Sequence, residues 1–169
     1  LYTPLSTQPR SRHRMPSSNQ PTSVKTMANA VFIPEVIELI NEGHTVTLPL
    51  RGISMRPFLE DGRDKALPAK PTTFGRGDAV LAEISQGHFV LHRITCIKGD
   101  TVTLQGDGNL STETCHIQDI KAFVIGFYRK GRPKLAKTNG LKWTVYSWLW
   151  MTLRPVRRYL LAIHRRIIK

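Results

Sequence analysis

The chain is poor in cysteine, in acidic residues at either end, and in long apolar runs. Two cysteines in 169 residues, Cys96 and Cys115, form no Cys-x-x-Cys pair and do not cluster with histidine, so a disulfide framework and a zinc cluster are both excluded and free thiols are expected. Twelve Asp/Glu stand against 25 Lys/Arg, and all twelve lie between residues 35 and 119. The longest uncharged stretch near the C-terminus lies between Lys142 and Arg154, too short to cross a bilayer.

What is present is sharply segregated. Residues 1–26 are basic, rich in Ser, Thr, Pro and Gln and almost free of apolar side chains, a composition that predicts disorder. No apolar run of signal-peptide length follows its arginines, and Met27, directly before the first patterned segment, is a candidate start of the functional protein. Residues 27–132 read as one folded domain, mildly acidic over 27–128 with nine Lys/Arg against twelve Asp/Glu. Residues 133–169 are basic and hold all three tryptophans. Positive charge confined to the ends argues against a domain that reads nucleic acid, and no specific nucleic-acid partner is expected.

The segment Arg51–Leu59, RGISMRPFL, places Ser54 between Gly52 and a Met55-Arg56-Pro57 exit that stops a strand from continuing. A serine at a sharp bend, with its hydroxyl outside any ladder and unpaired N–H groups beside it, meets the needs of an acyl-transfer nucleophile. Farther along, GDAVLAEISQGHFVLHRI (77–94) reads as two strands around Ser85-Gln86-Gly87 and ends in His92-Arg93. A histidine of near-neutral pKa can accept a serine proton without the burial that a lysine base requires. Lys98, six residues beyond His92, is a fallback base that belongs nearer a turn. The third segment, LQGDGN (104–109), contains Asp107, with Asp119 twelve residues later. Either carboxylate could accept the second imidazole N–H and fix the tautomer, Asp107 as first choice and Asp119 as second. Gly106-Asp107-Gly108-Asn109 is equally a turn sequence in its own right.

These three segments resemble the type I signal peptidases. Gly52, Ser54, Met55 and Pro57 match their Gly-x-Ser-Met-x-Pro serine box and, more loosely, that of the LexA-like self-cleaving repressors. His-Arg after a Gly-Asp-x-Val strand resembles the endoplasmic reticulum and archaeal type, whereas the bacterial and LexA enzymes use lysine as base. LQGDGN resembles the family's Lys-Gly-Asp-Asn-Asn segment, with Gln105 and Gly108 as departures. KAFVIGFYRKGR (121–132) resembles the last strand of the signal peptidase core. The resemblance covers residues 48 to 129. It implies a serine endopeptidase with Ser54 as nucleophile and His92 as general base, supported by Asp107 or Asp119. It also implies a mainly β catalytic core of coiled barrel or sandwich type, and a peptide or precursor protein bound as an extended strand with small side chains before the cut.

The periodicity agrees on fold class. Ile33–Gly43 predicts a short amphipathic helix, His44–Leu50 a half-buried strand leading to Gly52, and Thr101–Gln105 and Lys121–Arg129 further strands. Beyond Pro155, Val156, Leu160, Ile163 and Ile167 recur at helical spacing, with arginines mainly opposite. That pattern predicts a C-terminal amphipathic helix, and residues 141–169 are a candidate contact with an anionic membrane surface. The competing arrangement is a terminal helix folded back on the barrel.

Signal peptidases usually carry a hydrophobic anchor before the serine, and none precedes Ser54. The expected location is therefore cytoplasmic, peripheral on the inner membrane surface, with a membrane location as the alternative. Such a location suits a leader-processing or precursor-maturing protease. Two alternatives stand beside that function: a LexA-like regulator that cuts its own chain, and an inactive peptidase-fold module docking to membrane or partner. Neither an Ala-Gly nor a Cys-Gly bond occurs for self-cleavage. His88 and His92 would stand about 13 Å apart on a strand rising roughly 3.3 Å per residue, so they cannot share a metal. No metal and no cofactor are expected.

Overall fold

A computed structural model of the chain describes residues 29–167. The 1–26 extension lies outside the described residues. Helix α1 (Asn29–Asn41) is followed by strands β1 (Leu48–Pro49), β2 (Lys65–Ala69), β3 (Ala79–Ser85), β4 (His88–Lys98), β5 (Thr101–Gln105), β6 (Glu113–His116), β7 (Ile120–Tyr128) and β8 (Ala136–Lys137). Helices α2 (Leu141–Thr152) and α3 (Arg157–Ile167) close the described chain, joined by a 3-10 turn. The eight strands form one antiparallel sheet in the order β1-β2-β7-β3-β4-β5-β6, with β8 on the free part of β7. The fold is mainly β, as the patterning predicted.

Strand β3 shows why the sheet sits at the centre. Ala79 and Leu81 point into one apolar cluster, Val80 and Ala82 into a second on the opposite face. A strand buried on both sides reads as a continuous apolar run rather than an alternation. The first cluster is roofed by Ile33, Val36 and Ile40 of α1, one helical face at i, i+3, i+7 spacing, and includes Trp143 of α2. The second is filled by Ile94, Val102, Leu104, Cys115 and Ile120. Cys96 and Cys115 are both free thiols.

Several elements differ from expectation. Helix α1 begins before Ile33 and carries Pro34 inside it. Residues 44–47 form no strand; regular pairing is limited to Leu48–Pro49, opposite Ala66 and Lys65. The β4–β5 hairpin does place Lys98 beside the Gly99 turn and exposed, as expected of it. Residues 133–167, marked off as a separate basic segment in the sequence, lie against the body. Strand β8 pairs with β7 and α2 buries Trp143, Ser147 and Trp150. Among the described residues, no helix is long and apolar enough to cross a membrane.

Candidate active site

Residues 50–64 form a closed loop that presents Ser54. Its base is pinched where Leu50 N–H donates to Asp64 O (3.0 Å) and Gly62 N–H to Leu50 O (3.0 Å). Asp64 is buried and accepts from the Arg63 guanidinium at both oxygens (2.9 and 2.7 Å) and from the Glu60 and Lys130 N–H groups. Burial pushes its pKa up, but the Arg63 fork and the two N–H donors outweigh that and hold it below the ordinary carboxylate value. Met55 and Leu59 anchor the loop in the first core cluster. Gly52 takes φ +83°, where a side chain would be strained, and its N–H donates to Asp61 Oδ1 (3.1 Å).

The GDGN segment docks on this loop through backbone alone. Gly108 N–H donates to Ser54 O (2.7 Å), and Asn109 N–H closes the turn on Gly106 O (3.0 Å). A Cβ on Gly106 would collide with Ser54 O and lie 3.0 Å from His92 Nε2; one on Gly108 would meet Ile53 O at 2.5 Å. The glycines are thus required by close approach. The same point of space touches both the Ser54 backbone and the Nε2 edge of His92, so sequence positions 54, 92 and 106 converge.

His92 is 3% exposed, on β4 opposite Val80. Its Nδ1 lies 2.7 Å from Glu113 Oε2, so this ring nitrogen carries the proton and Nε2 keeps a lone pair on the Ser54 side. Burial depresses the pKa below the usual histidine value; the Glu113 carboxylate opposes the shift without cancelling it. The imidazole is therefore neutral at neutral pH, the form a general base needs. In the resting arrangement the Ser54 hydroxyl makes no hydrogen bond to His92. Such contacts commonly tighten only with substrate. The Ser54 and Met55 N–H groups donate to no acceptor among the described residues.

The carboxylates named from sequence have other partners. Asp107 is buried and pairs with Arg93 as a two-pronged fork, Oδ1 to Nε at 2.9 Å and Oδ2 to Nη2 at 2.7 Å. Asp119 accepts from His116 N–H (3.0 Å) and caps the 3-10 turn Ile117–Asp119. Neither carboxylate contacts the His92 ring nitrogen, because Glu113 occupies that place. Glu113 escaped the sequence reading because β6 is a four-residue strand without an apolar alternation. The signal that could have found it is an acid close after a glycine turn that abuts the histidine.

Helix α2 completes the support. The Arg93 guanidinium also donates to Gly77 O (2.7 Å) and Ser147 Oγ, and lies 4.7 Å from the Trp143 ring centroid. Tyr146 OH donates to Asp107 Oδ2 (3.3 Å) and Trp150 Nε1 to Asp107 O (3.1 Å). Phe58 of the serine loop stacks on Tyr146 with ring centroids 4.4 Å apart. Arg93 thus ties β4, immediately after His92, to both the GDGN turn and α2. A shallow cleft beside the serine loop is lined by Ile53, Arg56, Gly108, Leu161, His164 and Arg165. Among the described residues no cluster of His, Cys, Asp and Glu could hold a metal ion. No protein family model matches the chain, and comparison with curated proteins gives no match.

Proposed function

We propose that the chain is a serine endopeptidase that cuts a leader, signal or precursor peptide. Ser54 Oγ attacks the scissile carbonyl while His92 Nε2 takes its proton, and the resulting imidazolium is stabilised through Nδ1–H by Glu113. His92 then returns the proton to the leaving amine, and water, activated by the same nitrogen, releases the acyl group from Ser54. The free N–H groups at Ser54 and Met55 would hold the oxyanion. Asp107 acts one step back, fixing Arg93 and the turn against which the Ser54 backbone rests. The working location in this proposal is the cytoplasmic face of a membrane.

The observation that carries the reading is the placement of His92, with a carboxylate on Nδ1 and the Ser54 loop at Nε2. Three segments widely separated in sequence meet there with the tautomer required of a base. The resemblance of the Ser54 and His92 segments to signal peptidases of the Ser/His type supports the same chemistry. N-terminal proteomics on cells expressing wild type, Ser54→Ala or His92→Ala tests it. New N-termini are expected with wild type alone; identical profiles in all three would reject peptidase activity toward cellular proteins.

A further inference from the structure

Helices α2 and α3 each bury one face, and each leaves a second apolar face that no described residue covers. In α2, Trp143, Ser147 and Trp150 turn inward, while Leu141, Val145, Trp148 and Leu149 lie on the opposite side and are exposed, Trp148 to 64%. At 100° per residue these four positions fall within about 100° of one another, a stripe and not a scatter. In α3, Arg157 and Leu161 turn inward, and Tyr159, Ile163 and Ile167, with Val156 of the preceding 3-10 turn, remain exposed on another side. Packing on the body therefore does not account for the apolar pattern of this segment, since the residues that pack are a different set. Soluble surfaces seldom leave so many large apolar side chains together.

Charge indicates what covers them. Lys142, Arg154, Arg158, Arg165 and Arg166 are exposed along the same two helices and the 3-10 turn between them, and no Asp or Glu follows Asp119 anywhere in the sequence. An apolar face flanked only by cations, with tryptophan and tyrosine on it, has the chemistry of a bilayer boundary bearing anionic headgroups. A second copy of the chain would bring cations against cations.

We infer that the exposed apolar faces of α2 and α3 dock the folded domain on an anionic lipid bilayer. The docking does not require the chain to span it. Leu161, His164 and Arg165 of α3 line a cleft with Ile53 and Arg56 of the serine loop, on the inward side of the docked helix. The inference concerns binding alone and does not depend on peptidase activity.

The test uses the full chain carrying Ser54→Ala, with phosphatidylcholine vesicles and vesicles of mixed phosphatidylcholine and phosphatidylglycerol. Trp143 and Trp150 are buried, so a blue shift of tryptophan emission on vesicle addition reports Trp148. Co-sedimentation with the anionic vesicles is expected, with little binding to phosphatidylcholine alone. Binding should weaken about tenfold or more in Leu149→Ser/Ile163→Ser, which keeps the probe, and should also fall as salt rises from about 0.1 M to 1 M and shortens the Debye length from about 10 to 3 Å. Circular dichroism confirms that the variant is folded. Absence of binding, or binding untouched by the double substitution, would overturn the inference. So would dimerisation of the parent chain that the double substitution abolishes, since the faces would then belong to a second copy.

Discussion

Replacing Arg93 by Met keeps most of the side-chain volume but removes the charge that holds Asp107. Arg93 and Asp107 are each 1% exposed in their side chains, and their fork has no solvent to substitute for it. Burial lowers the Arg93 pKa, but the Asp107 contact raises it more, so the guanidinium stays charged in the fold. Breaking a buried pair by removing one partner strands the other charge and costs about 3–5 kcal/mol. Asp107 would retain only the Tyr146 hydroxyl on its side chain, at 3.3 Å. With a urea slope of about 2 kcal/mol/M, the unfolding midpoint should fall by about 2 M. Tryptophan fluorescence follows it well, because Trp143 lies over Arg93 and Trp150 donates to the Asp107 carbonyl. Arg93→Met/Asp107→Leu removes both charges and should recover most of the loss, since well-packed apolar replacements of buried pairs are often neutral. A midpoint for Arg93→Met within about 0.3 M of wild type, under about 1 kcal/mol on the same slope, would refute the assignment of this pair as the joint between sheet, turn and α2.

Four further outcomes follow from the structure. Gly106→Ala should lose about 100-fold or more in turnover, because a methyl there displaces Ser54 or His92 by a fraction of an ångström, and the loss is read from peptide kinetics on the folded variant. The activity of wild type should rise with pH along a limb below 6.5, since His92 must be neutral and its pKa is depressed. Glu113→Gln removes the charge that raises this pKa, so its limb should move to still lower pH, with turnover down about 10²- to 10⁴-fold. Asp64, held below its ordinary pKa near 3.8, contributes stability that is present above that value and lost as pH falls through the folded-state pKa. Asp64→Asn should therefore be less stable than wild type at pH 7, and the gap should narrow in acid, as thermal melts across pH 2 to 7 would show.

Much of this arrangement is legible in the amino-acid sequence. Ser54 at a bend, His92 on a strand after a hairpin and the GDGN turn were all placed by local patterns, and the mainly β fold by short apolar strands between turns. The carboxylate behind the histidine was not, because hydrogen-bond choice depends on register. His92 and Glu113 meet across β4, β5 and β6, and a bulge between Ile94 and Cys96 shifts that register. Asp107 was the first choice through the resemblance of its segment, yet it faces Arg93, the residue next to His92 and so on the other side of the strand. Helix α2 was not foreseen as a helix. Its two opposite faces are both apolar, one against the core and one exposed, which erases the 3.6-residue signal.

The central claim is that Ser54 and His92 act together on peptide bonds. Incubating purified wild type, Ser54→Ala and His92→Ala with a mixed peptide library, and following cleavage by mass spectrometry, addresses it directly. Cleavage by wild type at a consistent sequence context, lost in both folded variants, is the predicted result; cleavage that persists in Ser54→Ala, or none by wild type with or without anionic vesicles, would contradict it.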